Sequence, residues 1–269
     1  MKMTSRFNDP NYLATDQYRD SSNLDARAAI HQRFSANPYG WFNWVFDTLA
    51  KLPQNARILE LGCGPGYLWK ECSHRIPPGW VITLSDLSPG MVDAAWRNLV
   101  VTGRNFKFEQ IDAQSIPYPD ETFDAVIANH MLYHVPDRRK ALSEIKRVLK
   151  ADGRLFAATV GDKHLKEIGA YLSRATMKDD LPRFTDEFLL ENGQKQIQEF
   201  FPNVELSRYE DNLRVTEVEP ILAYVRSGIR AAYFSEAEMA KIEKELRDQL
   251  ARDGEIFITK DSGMFEAQK

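Results

Sequence analysis

The chain has 269 residues, of which 43% are hydrophobic, and it carries a formal net charge of −4 at pH 7. This length suffices for one full core, or for a core domain with a smaller cap. The slightly acidic balance argues against a nucleic-acid surface, which normally shows as a basic excess. Two cysteines cannot build a disulfide framework, an all-cysteine zinc site or, by themselves, an iron–sulfur cluster.

Targeting signals are not evident in the sequence. The N-terminal residues lack the apolar segment of a signal peptide, and no apolar run approaches the ~18 residues of a membrane span. We therefore expect a cytoplasmic protein, monomer or homodimer, with a small-molecule partner and no contact with nucleic acid or membrane.

The predicted elements begin with two helices, over residues 24–36 and 39–52, and the second is unusually aromatic. From residue 56 short apolar strands alternate with helices. The strands are expected over 56–61, 80–86, 105–110, 122–129 and 154–160, and the helices over 67–75, 89–101 and 137–150. Such alternation implies right-handed crossovers and a doubly wound α/β sheet with helices on both faces.

The last hundred residues are helical and less regular. Residues 203–216 predict one strand, 217–228 and 235–252 predict two helices, and 255–261 predict a last short strand. We expect three parts: an N-terminal helical lid over 1–53, a ligand-binding core over 54–161, and helical cap insertions with the last two strands of the sheet over 162–269.

A glycine loop follows the first predicted strand, in the stretch RILELGCGPGYLW. Gly62, Gly64 and Gly66 stand at alternate positions. In a doubly wound sheet, ligands bind at the carboxyl ends of the strands, near the first strand-to-helix turn. Glycine lets the backbone approach a ligand there, and the next helix presents free N–H groups and a positive dipole end. The loop therefore predicts a nucleotide-type site.

The spacing of the glycines restricts the class of ligand that the loop can bind. The dinucleotide fingerprint G-x-G-x-x-G would need a third glycine at position 67, where the chain has Tyr67, and the phosphate P-loop is absent. Glu60 directly precedes the glycines, and a carboxylate is a poor neighbour for a pyrophosphate. It suits a ligand with a positive group, such as an amino acid moiety.

Carboxylates also end the next two strands. Asp86 can accept hydrogen bonds from both hydroxyls of a ribose, although nicotinamide enzymes use the same device. Asp112 can accept from the exocyclic amine of an adenine, while the N–H of Ala113 donates to a ring nitrogen. Together these groups predict an adenosine-containing ligand.

Four segments in order, ILELGCGPG, TLSDLSPGM, QIDAQSIPYPDETFDAVIANHMLYHV and EIKRVLKADGRLF, resemble the successive motifs of class I S-adenosylmethionine-dependent methyltransferases. More narrowly, they resemble the small-molecule branch often grouped as methyltransferase type 11. The resemblance covers about residues 56–160. It implies a Rossmann-like, seven-stranded sheet with an antiparallel last strand, which we expect at 255–261. It also implies methyl transfer from S-adenosylmethionine to O, N or C of a small-molecule acceptor.

The resemblance also implies roles for particular residues. Glu60 and the glycine loop would hold the methionine part of the cofactor, Asp86 the ribose and Leu87 the adenine ring, while Asn129 would approach the methionine amino group or the methyl group. The full predicted cofactor set is Glu60, Gly62, Cys63, Gly64, Gly66, Asp86, Leu87, Met91, Asp112, Ala113 and Asn129, with Tyr18 and Arg33 from the N-terminal segment. Cys63 is interpreted as a small apolar filler of the loop.

The roles of Arg33 and of the cap residues remain open at this point. Arg33 could clamp a ligand carboxylate, or merely pair with Asp25 or Asp47. Polar and aromatic residues of the cap could touch an acceptor, although a lone arginine on a surface helix is more often solvated. These cap residues are His164, Tyr171, Arg174, Arg183, Phe184, Arg208, Tyr209 and Arg214.

Candidate catalytic residues follow the fourth strand: His130, Tyr133 and His134. Histidine is the usual general base near neutral pH. The two histidines are four residues apart and could share one helical face. That spacing permits a metal pair, but without a nearby third ligand we predict no metal. Otherwise His130 caps the strand, and His134 packs or donates to backbone.

Two other functions remain open at this point. A nicotinamide-dependent oxidoreductase would use a similar sheet, although Tyr67 and the Asp112–Ala113 pair count against it. A catalytically inactive cofactor-binding protein would keep the same loop and carboxylates.

Overall fold

The computed structural model describes residues 6–177 and 187–269. Its strands are β1 (Arg57–Leu61), β2 (Val81–Asp86), β3 (Phe106–Gln110), β4 (Phe123–Asn129), β5 (Leu149–Val160), β6 (Asn203–Tyr209), β7 (Asn212–Val215), β8 (Ile256–Thr259) and β9 (Ser262–Gln268). Its helices are α1 (Pro10–Tyr12), α2 (Ser22–Phe34), α3 (Trp41–Leu49), α4 (Tyr67–Glu71), α5 (Pro89–Leu99), α6 (Arg138–Val148), α7 (Lys166–Thr176), α8 (Gly193–Gln198), α9 (Glu219–Ser227) and α10 (Glu236–Asp253).

The main sheet has, within the described residues, seven strands in the order β3-β2-β1-β4-β5-β9-β6. Strands β1 to β5 are parallel, so that Glu60 of β1 pairs with Leu84 on one side and Ile127 on the other. β9 is antiparallel to both of its neighbours. The predicted fold class, a doubly wound Rossmann-like sheet with an antiparallel last strand, is confirmed. The central strands are nearly continuous apolar runs because helices cover both faces of the sheet.

The prediction for the C-terminal strands is wrong in two respects. The single strand expected over 203–216 is divided into β6, in the main sheet, and β7, which pairs with β8 in a small separate sheet. The antiparallel strand is consequently β9, at 262–268, and not the expected 255–261. The segment forming β8 alternates cleanly, with Ile256 and Ile258 buried and Phe257 exposed, so the sequence pattern favoured it. The segment SGMFEAQ has weaker strand propensity, and its burial comes from tertiary packing.

A third apolar core lies beside the two that flank the main sheet. It joins Ile30 of α2 to residues of α7, α9, α10, β7 and β8, including Leu172, Ile221 and Leu246. The N-terminal helix α2 therefore packs with the C-terminal cap into one cover. Within the described ranges, no helix combines the length and apolar composition needed to cross a bilayer.

Candidate cofactor and acceptor site

The glycine loop has a backbone that side chains would obstruct. Gly62, Gly64 and Gly66 have φ angles of +66°, +52° and +74°, in the left-handed region that L-residues rarely adopt. A Cβ on Gly62 would also lie 2.7 Å from the Cβ of Met131. Conformation and close packing therefore both require glycine, and the loop leads directly into α4.

Asp86 lies beside this loop, at the end of β2. The N–H of Gly64 donates to its Oδ2 at 3.0 Å, and the N–H of Ser88 donates to its Oδ1 at 2.9 Å. Each carboxylate oxygen keeps a second lone pair for a ligand hydroxyl. Burial raises the pKa of Asp86 to about 6, although the backbone donors oppose that shift. Asp86 thus lies next to the glycine loop, and its contact with a ribose stays a prediction.

Glu60 lies behind the loop rather than in it. Its carboxyl group is buried and accepts hydrogen bonds from Trp69 Nε1 at 2.5 Å and from Asn129 Nδ2 at 3.4 Å. Burial raises its pKa to about 7. The assignment of Glu60 to the methionine part of the cofactor stays a prediction; in the structure its carboxyl group accepts from the amide of Asn129. The other side-chain atom of that amide, Oδ1, is buried and has no partner among the described residues, so it is available to a ligand.

The end of β3 is joined to the end of β2, because the N–H of Ile111 donates to the carbonyl of Asp86 at 3.1 Å. Asp112 follows immediately and is held by the backbone N–H and side-chain amide of Gln114, at 2.8 and 3.0 Å. Ala113 is buried next to it. The two carboxylates thus project from adjacent strand ends.

Three further residues predicted to contact the cofactor lie in the glycine loop or shortly after Asp86. Leu87 is half-buried directly after Asp86, and Met91 is buried in α5. Cys63 lies inside the loop, and burial raises the pKa of its thiol. A thiol that resists ionisation supports its interpretation as an inert filler.

Tyr18 and His134 form a pair, with Tyr18 Oη and His134 Nε2 2.9 Å apart. Tyr18 is held over the core because the hydroxyl of Ser88 donates to its carbonyl at 2.6 Å. Tyr133 is buried, and its ring lies 4.7 Å from that of His134. The structure therefore brings two of the three predicted catalytic residues to the N-terminal segment.

His130 does not share a helical face with His134. Its φ of +52° ends β4 in a left-handed turn, and only a short single turn follows over Leu132–His134. The ring of His130 lies 5.3 Å from that of Trp41, whereas His134 contacts Tyr18. This geometry removes the basis for a metal pair at the two histidines. Burial lowers the pKa of His130 to about 4, so this imidazole is neutral near pH 7.

The structure places Arg33 at the surface. It is half exposed and forms an ion pair with Glu217, a partner the sequence did not suggest. The arginine that does lie with the site is Arg27, whose guanidinium carbon is 5.4 Å from the centre of the Tyr18 ring. Its spacing of three and four residues from Leu24, Ile30 and His31 places it on the buried face of α2, and this periodicity was the signal available in the sequence.

Two of the cap residues named from the sequence contact the N-terminal helices α2 and α3. His164 stacks on His31 with 6.2 Å between ring centres, and Tyr209 contacts Trp41 at 5.5 Å. Tyr171 belongs to the core of the cap. Three of the four cap arginines named from the sequence lie within the described residues, and all three form surface ion pairs. Arg174 pairs with Glu245, Arg208 with Glu191 and Asp261, and Arg214 with Glu255. Arg183 and Phe184 lie outside the described residues.

Comparison with known proteins agrees with this geometry. Residues 59–157 match the family described as Methyltransferase domain. A ubiquinone/menaquinone biosynthesis C-methyltransferase, UbiE, of Hahella chejuensis is 34% identical over 118 residues, which are 43% of this chain and 47% of that protein. A malonyl-(acyl-carrier protein) O-methyltransferase of Legionella pneumophila is 30% identical over 135 residues, or 48% of this chain and 45% of that protein. The chain thus matches about half the length of these relatives.

Solved structures share the fold over more of the chain. The cyclase SpnF has a TM-score of 0.60 at 19% identity and covers 97% of this chain and 96% of its own. A phosphoethanolamine N-methyltransferase of Haemonchus contortus has a TM-score of 0.58 at 20% identity and covers 100% of this chain and 61% of its own. The resemblance to small-molecule class I methyltransferases predicted from the four motifs is confirmed.

Proposed function

We propose that this protein binds S-adenosylmethionine at the carboxyl ends of β1 to β4 and transfers its methyl group to O, N or C of a small-molecule acceptor. The observation that carries the proposal is the juxtaposition of the glycine loop with Asp86, whose carboxylate accepts from the Gly64 N–H at 3.0 Å. The methyltransferase-domain match over residues 59–157 includes this loop, and it favours methyl transfer over nicotinamide chemistry.

The residues present fit this cofactor. Asp86 would accept from the ribose hydroxyls through its remaining lone pairs, and Asp112 with the Ala113 N–H would bind the adenine edge. The unpartnered Oδ1 of Asn129 would accept from the methionine amino group. Glu60 is then a positioning residue, because it holds the amide of Asn129 by the other side-chain atom. Leu87 and Met91 would supply apolar contact to the adenine.

Bound S-adenosylmethionine supplies a methyl group already activated on a sulfonium, so the protein's task is alignment and, where the acceptor requires it, removal of a proton. His134 is placed for the second task. Its Nε2 lies 2.9 Å from the Tyr18 hydroxyl, so Tyr18 can pass its own phenol proton to the imidazole while its oxygen takes a proton from the acceptor. Helix α2 and the cap would exclude water from the transfer.

Several further features belong to the same proposal. The three-part division at residues 53 and 161 remains our prediction. We also propose a cytoplasmic enzyme, monomeric or dimeric, that does not bind nucleic acid. Supporting observations are the net charge of −4 and two cysteines that are both free thiols.

Isothermal titration with S-adenosylmethionine, S-adenosylhomocysteine and NAD, in separate runs, tests the proposal directly. We expect micromolar binding of the first two ligands and none of NAD. Binding of NAD alone would replace the proposal with the oxidoreductase alternative. Binding of both sulfur ligands without methyl transfer to any acceptor in a screen would favour an inactive cofactor-binding protein.

Asp86→Asn tests the ribose assignment. Hydrogen bonds to a charged group contribute about 1.5–3 kcal/mol each, so we expect S-adenosylhomocysteine to bind about 10- to 100-fold more weakly. The control is Asp93→Asn, an exposed carboxylate on α5 that pairs with Arg97. Equal affinities in the two variants would exclude Asp86 from the ribose site.

A further inference from the structure

We propose that Arg27 binds a carboxylate of the methyl acceptor, because the Nε and Nη2 atoms of its guanidinium are buried and have no hydrogen-bond partner among the described residues. The acceptor would then be a small organic acid. This inference deepens the proposed function and rests on it.

No described residue balances the charge of Arg27, because no carboxylate is among the groups that act on its guanidinium. The titratable groups with the strongest influence on its guanidinium are the phenols of Tyr18, Tyr133 and Tyr224. Phenols are neutral near pH 7, so they surround the cation without neutralising it. A buried, unpaired charge is costly, and a bound anion would offset that cost.

The two unpartnered N–H groups of the guanidinium determine which shape of anion fits. Nε–H and Nη2–H point in parallel from one side of the planar group, which matches the two oxygens of a carboxylate. Both donors are shielded from solvent before any ligand arrives. Arg27 therefore presents a preorganised, two-pronged contact.

The position of Arg27 assigns this carboxylate to the acceptor. On one side, its guanidinium contacts the ring of Tyr18, which bonds to the proposed base His134. Tyr224, from cap helix α9, and His31 also lie near Arg27, and their rings are 6.3 Å apart. His31 Nδ1 is also buried without a partner among the described residues. Unpartnered polar groups thus continue from Arg27 toward the cap.

The cofactor's own methionine carboxylate is the second possible source of the anion, and titration distinguishes the two. S-adenosylhomocysteine has the carboxylate and 5′-methylthioadenosine lacks it. For the acceptor assignment, Arg27→Gln binds both ligands as the wild type does. Weaker binding of S-adenosylhomocysteine alone would overturn the assignment in favour of the cofactor. Failure of the wild type to bind S-adenosylhomocysteine would instead refute the proposed function.

Acid–amide pairs test the acceptor itself. Benzoate and hexanoate are titrated against benzamide and hexanamide, with the protein saturated by S-adenosylhomocysteine. We expect the wild type to prefer the acids, and Arg27→Gln to lose about 100-fold in acid affinity with no change for the amides. Arg27→Lys, which keeps the charge but not the planar edge, should fall between them. Equal binding of acid and amide by the wild type, or binding of neither, would contradict the proposal.

Thermal unfolding provides a readout that needs no acceptor. An arginine kept for a ligand destabilises the ligand-free protein, so Arg27→Met should raise the melting temperature by several degrees, whereas loss of a structural arginine would lower it. Millimolar benzoate should raise the melting temperature of the wild type and not of the variant. The control is Arg226→Met, an exposed arginine on α9. A lower melting temperature for Arg27→Met, with no effect of benzoate on the wild type, would refute the proposal.

Discussion

Glu60 is a carboxyl group enclosed between the indole of Trp69 and the amide of Asn129. Its pKa rises from 4.5 to about 7, because burial outweighs the two donors. In the pH range between these values, the folded protein keeps the proton and the unfolded chain releases it. The stabilisation from Glu60 is therefore fully present below pH 4.5 and is lost as pH rises through 7.

Glu60→Gln removes this titration. We expect the free energy of unfolding of the variant, relative to wild type, to increase between pH 4.5 and pH 7 by on the order of 3 kcal/mol. Urea unfolding at several pH values measures the difference. For the control Glu205→Gln, at an exposed position on β6, the difference in free energy of unfolding from wild type should not change with pH. If the difference for Glu60→Gln is also independent of pH, this carboxyl group has an ordinary pKa in the folded protein.

His134 and Tyr18 allow a separate test of chemistry against binding. His134→Ala should lower the turnover number about 100-fold, within the usual range for loss of a general base, with the affinity for S-adenosylmethionine unchanged. Transfer of a labelled methyl group and titration of the cofactor measure the two quantities. Tyr18→Phe should reproduce the loss of turnover. Unchanged turnover in either variant would remove that residue from the proton path.

The N-terminal segment is the element whose placement matters most for the site. It is held against α5 at Gly90, where an added Cβ would lie 1.8 Å from the carbonyl oxygen of Arg19. One residue earlier in the chain, Tyr18 is bonded through its carbonyl to Ser88 and through its hydroxyl to His134. A side chain at Gly90 would therefore displace Tyr18 without touching the glycine loop.

Gly90→Ala should accordingly loosen this segment. We expect amide hydrogen exchange over residues 13–21 to accelerate at least about tenfold, and turnover to fall as Tyr18 leaves His134. Gly169→Ala is the matched control, because a Cβ there meets open space and alanine favours the helix. Similar exchange in the two variants would show that the contact between Gly90 and Arg19 does not hold the segment.

At the scale of the whole molecule, the C-terminal strand β9 completes the core. It lies between β5 and β6 in the main sheet, and Phe265 on it is fully buried against Phe188. Phe257, eight residues earlier, is on β8 and half exposed. The two phenylalanines therefore distinguish an interior strand from a peripheral one.

Phe265→Ala should destabilise the protein by about 3–5 kcal/mol, through lost burial and the cavity that remains. Phe257→Ala should cost well under half as much, because half of its surface is already in contact with water. Denaturant unfolding followed by circular dichroism compares them. Equal costs would mean that β9 is not a structural centre of the sheet.

The sequence by itself determined the core of this protein. Alternating apolar strands and helices, glycines after the first strand and carboxylates after the next two are local patterns, and in a parallel sheet local order places strand ends side by side. The positions of Asp86, Asp112 and the loop followed from that rule alone. The same rule predicted the doubly wound α/β sheet, whereas the seven strands and the antiparallel last strand were what the family resemblance implied.

Tertiary structure decided what depends on contacts between distant residues. Trp69 and Asn129 hold the buried carboxyl group of Glu60, the antiparallel strand is β9 and not 255–261, and Arg33 pairs with Glu217 at the surface while Arg27 lies over Tyr18. Each outcome depends on burial or pairing across long separations, which hydrophobic periodicity does not record. The proposed acceptor contact, Arg27, lies on α2 where this helix meets α9, so it could be proposed only once these two helices were placed together.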